Sequence, residues 1–147
     1  MQLTENFSLK EMLASQAAIR LNFSEQYEPG EDVVHNLRQL CVHVLQPLRQ
    51  KLNRSIHVSS GYRCLRVNQA IGGATHSQHL KGQAADIVAS NLSIDELYLT
   101  IKNSNLPYDQ LIHEFNQWIH VSYDPTMNRR ESLRAVRQKG QVRYVRD

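Results

Sequence analysis

The chain has 147 residues with 17 Lys and Arg against 14 Asp and Glu, a formal charge of +3, and 41% hydrophobic side chains. One domain's length with enough apolar residues for one core excludes a disordered chain, a collagen-like fibre and a two-domain enzyme. No apolar run approaches the roughly 20 residues of a membrane span. The first residues have neither a basic nor an apolar region, so no secretory signal is expected, and the chain is expected in the cytoplasm on synthesis.

In chain order, Ser8-Leu9-Lys10-Glu11 has the capping-box pattern and predicts a helix through Met12, Leu13 and Ala17. Residues 25–31, with Pro29 and Gly30, read as a loop. From Asp32, the residues Val33, Leu37, Leu40, Cys41, Val44, Leu45 and Leu48 recur at helical spacing, and Pro47 kinks or shortens this longest helix. Residues 56–60 and 84–89 read as strands around a polar, Gly-rich segment over 72–82. Ser93 to Glu96 is a second capping box, opening a helix through Leu97, Tyr98 and Ile101. Residues 110–115 and 118–123 then read as a hairpin. The order predicts an α+β fold, a small antiparallel sheet with helices packed on one face.

Charge is unevenly distributed: residues 1–124 sum to −2 and residues 125–147 to +5. The expected organisation is a domain over 1–124 and a basic C-terminal extension over 125–147, solvated or holding an anionic polymer. The extension lacks a nucleic-acid-binding motif, so nucleic acid is not an expected partner. Cys41 and Cys64 lie outside any C-x-x-C pair, which argues against a disulfide framework or thiolate zinc site. Cys41 reads as a small core residue.

Among seven histidines, His35, His43 and His57 read as structural or surface residues. His79 ends a polar segment, Asp86 follows seven positions later at the start of a strand, and His120 lies in a β-like run. Two imidazoles and a carboxylate suit a borderline-soft divalent ion such as Zn²⁺, and three protein ligands leave a fourth position open, as in catalytic zinc sites.

Ser60-Gly61-Tyr62-Arg63, Val67-Asn68, Gly72-Gly73, the run from Ser77 to Asp86 and Trp118-Ile119-His120-Val121-Ser122 together resemble the M15 family of zinc peptidases, the D-alanyl-D-alanine carboxypeptidase and phage endolysin group. The family pattern S-x-H-x-x-G-x-A-x-D with a later His is satisfied at every position. Phe7 to Leu13 and Leu45 to Arg49 are similar to the short, single-domain branch, so the resemblance covers roughly 5–124.

The resemblance implies that His79, Asp86 and His120 hold Zn²⁺, which lowers the pKa of its bound water toward roughly 7. It implies that Arg63 contacts the substrate near the scissile bond, with Ser77 and Tyr62 beside it. Many members carry Glu three residues before the last His; here that residue is Gln117, which accepts no proton. Glu114 is the expected base, provided a three-residue loop turns it to the face of Trp118 and His120; with a two-residue loop His113 takes that place. The expected activity is zinc-dependent hydrolysis of bacterial peptidoglycan peptides at a bond involving D-alanine, by a monomer. The alternative is a non-catalytic, metal-stabilised module that grips cell-wall peptide.

Overall fold

Ser8 begins the first helix by accepting the Glu11 N–H at 3.1 Å, which satisfies an otherwise orphaned donor. The structure, a computed structural model, describes residues 1–147. Helix α1 (Leu9–Leu13) is shorter than the expected segment, because Ser15 caps a separate helix, α2 (Gln16–Leu21), by accepting from Ala18 N–H. The predicted loop over 25–31 contains a 3₁₀ turn, Ser24–Tyr27.

The long apolar stripe forms α3 (Glu31–Leu40) and α4 (Gln46–Leu52), joined without a break by one π turn, Cys41–Leu45. Pro47 explains that turn. It has no N–H, and its ring crowds the carbonyl four residues back, so the chain widens by one residue and continues rather than stopping. Leu37, Leu40, Cys41, Val44, Leu45 and Leu48 are all buried on the stripe. A short helix, α5 (Leu65–Ala70), comes next, and α6 (Ile94–Lys102) is capped by Ser93 as expected.

The strands are β1 (Ile56–Ser60), β2 (Ala84–Ala89), β3 (Gln110–Glu114), β4 (Trp118–Ser122), β5 (Glu131–Gln138) and β6 (Gln141–Arg146). They form one sheet in the order β1-β2-β4-β3-β5-β6, antiparallel except for the β3–β5 pair, which is parallel. The fold is α+β, and the helical layer covers one sheet face. Val58, Ile87, Ile119, Val121 and Leu111 point into that layer and share a core with α3, α4 and α6. No helix is long and apolar enough to cross a membrane.

The segment expected as a basic extension adds β5 and β6 to this sheet. Its arginines are met locally. The Asp109 carboxylate accepts from Arg129 N–H at 3.0 Å, Nε at 2.8 Å and Nη2 at 3.0 Å, and Arg134 pairs with Asp147 at 2.9 Å. Neutralised at their heads, these long side chains flank a strand whose Ser132 and Ala135 are buried.

Candidate metal centre and its cleft

The sheet face opposite the helices is where polar chemistry gathers. One row of paired residues runs Ser60, Asp86, His120, Ile112, Leu133 across five strands; the neighbouring row runs Trp118, Glu114, Ala135, Tyr144. A bulge in β1 between Val58 and Ser60 sets Ser60 rather than Ser59 opposite Asp86.

His79 arrives from outside the sheet, on a 3₁₀ turn, Gln78–Lys81, that Ser77 caps by accepting the His79 N–H at 3.2 Å. The turn closes at Gly82 with φ +74°, where a Cβ would stand 2.8 Å from the Val33 carbonyl oxygen. His79 Nδ1 donates to the Gly61 carbonyl at 2.6 Å, which leaves its Nε2 lone pair facing the cluster. Gly61 must be glycine for this approach, since a Cβ would lie 2.5 Å from the Met12 carbonyl oxygen.

His79 Nε2 lies 3.3 Å and His120 Nδ1 3.2 Å from the same oxygen, Asp86 Oδ1. The three ligand atoms all lie within 4.8 Å of one another. A tetrahedral zinc site with bonds near 2.0 Å has ligand separations of roughly 3.3 Å, which the two distances to Asp86 Oδ1 match. His79 Nε2 is buried without a hydrogen-bond partner, an orphan that a protein interior rarely tolerates and that a cation satisfies. Burial lowers the His79 pKa, keeping the ring neutral and its lone pair available. Burial alone would raise the Asp86 pKa, but the two imidazoles beside it, His120 and His79, outweigh that and hold it well below the usual carboxylate range. His79, Asp86 and His120 thus form a candidate metal site of two imidazoles and a carboxylate.

The expected substrate-contacting residues are arranged differently from one another. Arg63 donates Nη2 to Asp86 Oδ2 at 3.1 Å, Nε to Ser60 Oγ at 3.0 Å and Nη1 to Asn68 Oδ1 at 3.4 Å. Three of its donors therefore hold neighbours in place, and what it chiefly orients is the carboxylate. Ser77 and Tyr62 line the cleft, and Tyr62 also packs against the core.

The β3–β4 connection has three residues, with Phe115 and Asn116 both left-handed at φ 55° and 61°. Glu114 therefore pairs with Trp118 and shares its face with His120. Diagonal neighbours of this kind are roughly 7–8 Å apart, within reach of a glutamate side chain. Glu114 is 9% exposed, and burial raises its pKa. His113 turns to the helical face, where Nε2 meets Asp95 Oδ1 at 2.8 Å and the ring stacks edge-on to Tyr98. Gln117 is exposed in the turn.

Arg63, Glu114, Trp118 and the His79, Asp86 and His120 cluster line an open cleft of about 1610 Å³. One wall is residues that neither spacing nor motif singles out: Leu133, Val142 and Tyr144 of the C-terminal hairpin. Their signal in the sequence is only a short alternation of apolar residues among arginines. A family model described as Peptidase M15 matches residues 5–122, most of the chain. No curated protein matches the sequence.

Proposed function

The chain belongs to the Peptidase M15 family, and from that premise we propose that it is a zinc peptidase that hydrolyses bacterial cell-wall peptides at a bond involving D-alanine. The observation that carries the reading is the buried, unpartnered His79 Nε2 beside Asp86 and His120, with its other nitrogen tied to Gly61. His79 Nε2, Asp86 Oδ1 and His120 Nδ1 would hold the ion. Zinc, when bound, supplies Lewis acidity that activates water and polarises a carbonyl.

The chain's own residues supply the rest. Glu114 takes a proton from the attacking water and returns it to the leaving amine as the C–N bond breaks. Its burial moves its pKa upward, toward the pH at which a carboxylate both accepts and releases a proton efficiently. Arg63 keeps Asp86 aimed, and Ser60 and Asn68 keep Arg63 in place. Ser77 fixes the turn that carries His79, and with Tyr62 it borders the path of the peptide.

The test is hydrolysis of a muropeptide digest by purified protein of known zinc content, with products read by mass spectrometry. Turnover that disappears on chelation and returns with zinc is expected. Glu114→Gln is expected to lower turnover by about 10²–10⁴-fold while zinc remains bound. Turnover that survives complete zinc removal refutes the proposal. Muropeptide binding without hydrolysis by zinc-loaded wild type would mark a non-catalytic module instead.

A further inference from the structure

The family match ends at residue 122, yet the cleft wall continues into β5 and β6. Tyr144 stands in the same row as Glu114, with only Ala135 between them. Alanine is the one small side chain in that row, and it leaves the space over β5 between Tyr144 and Glu114 open. Tyr144 is 55% exposed, so its ring belongs to the cleft surface rather than to a core. Burial raises the phenol's pKa and the nearby charges of Glu114 and Asp86 raise it further, so the group stays an O–H donor at neutral pH.

The hairpin that carries Tyr144 is held from several sides. Asp109 clasps Arg129, Arg130 lies over the Tyr108 ring and donates to the Ser104 carbonyl, and Arg137 lies over Phe115 at 4.7 Å. Meanwhile Arg63, the cation nearest the metal ligands, has donors committed to Asp86, Ser60 and Asn68. A donor for the substrate carbonyl is therefore best sought on the opposite wall.

We propose that the β5–β6 hairpin is the outer wall of the substrate cleft and that the Tyr144 hydroxyl donates a hydrogen bond to the carbonyl oxygen of the scissile peptide. This rests on the peptidase reading above. As the water oxygen bonds to the carbonyl carbon, the C=O electron pair moves onto oxygen and the hydrogen bond from Tyr144 strengthens. Tyr144 keeps its proton throughout; Glu114 carries the one removed from water. Leu133 and Val142 offer the apolar surface against which a small side chain beside the scissile bond rests.

The experiment compares wild type, Tyr144→Phe and Tyr144→Ala on the muropeptide digest, with zinc content and melting temperature recorded. Tyr144→Phe is expected to lower kcat by about 10–100-fold with KM little changed, because the lost bond matters in the transition state. Tyr144→Ala is expected to raise KM as well. Wild-type kcat in Tyr144→Phe overturns the hydrogen-bond assignment.

Absence of hydrolysis by zinc-loaded wild type would instead refute the peptidase reading and the hydrogen bond with it. The wall is then read independently by binding. Trp118 is the sole tryptophan of the chain and lines the cleft, so its fluorescence reports muropeptide binding directly. Binding by Tyr144→Ala weaker than wild type by about fivefold supports the wall, in keeping with the loss of one aromatic contact. Equal binding, or no binding by wild type, overturns it.

Discussion

Replacing Asp109 by Asn tests whether the C-terminal hairpin is clasped to the sheet as described. Asp109 is 4% exposed, and its two oxygens share three N–H donors of Arg129. Asparagine can keep the acceptor that meets the backbone N–H and Nε. It then presents an NH₂ to Arg129 Nη2, so one charge-assisted bond is lost and two donors face each other. Such a bond is worth about 1.5–3 kcal/mol. Because the Arg129 side chain is 49% exposed, water recovers part of that, leaving about 1–2 kcal/mol. For a chain of 147 residues this corresponds to a fall in Tm of about 3–6 °C.

The pH dependence provides a second check. Burial by itself would raise the Asp109 pKa, but Arg129 outweighs it and holds the carboxyl below its ordinary 3.8. A depressed folded-state pKa contributes stability that is fully present above the unfolded value and lost as pH falls through the folded one. The gap between wild type and Asp109→Asn should therefore be constant near neutrality and close as pH falls below about 3.8. Melting followed by circular dichroism at several pH values measures it, and amide exchange should accelerate in β5 before β2. A Tm unchanged at pH 7, or a gap that persists unaltered at low pH, refutes the clasp.

Arg63→Ala should weaken zinc affinity by about 10–100-fold in a chelator competition, since it strips a charged donor from Asp86, the carboxylate of the proposed metal site. Arg63→Lys should recover only part, because an ammonium cannot reproduce the guanidinium fork that reaches Asp86, Ser60 and Asn68 together. Gly61→Ala should lower stability by about 1–3 kcal/mol in urea denaturation, through overpacking against Met12. Wild-type stability in that variant would show that α1 yields without strain.

Strands β1 and β2 are legible in the sequence because each is a short β-branched or small-residue run bounded by polar residues, and their predicted and observed limits agree. The capping serines Ser8 and Ser93 are legible for a similar local reason, since the bond each makes lies within one turn. The break after α1 is less so, because Ser15 competes as a cap only once Ala18 is presented to it. Helix α5 escapes notice because only Val67 and Asn68 of its six residues are buried, too few to show a period.

Strands β5 and β6 are hidden by charge. Their arginines read as a basic extension, solvated or holding an anionic polymer, until Asp109, Glu131 and Asp147 are brought beside them, and those partners lie up to 20 positions away. The metal cluster is legible through its compound motif. The orientation of Glu114 is not, because it depends on one residue of turn length and on Phe115 adopting a left-handed conformation that nothing in its side chain favours.

Gly61 shows why the motif segment is not a portable part. The run from Ser77 to Asp86 brings two candidate ligands, and β4 brings the third, but the carbonyl that fixes the His79 ring belongs to Gly61, and the room for it is set by the packing of α1. Grafted onto another scaffold, the same ten residues would carry their donors with no guarantee that the His79 lone pair faces the other two. An engineer transplanting this centre would have to move the end of β1 and the N-terminal helix along with it.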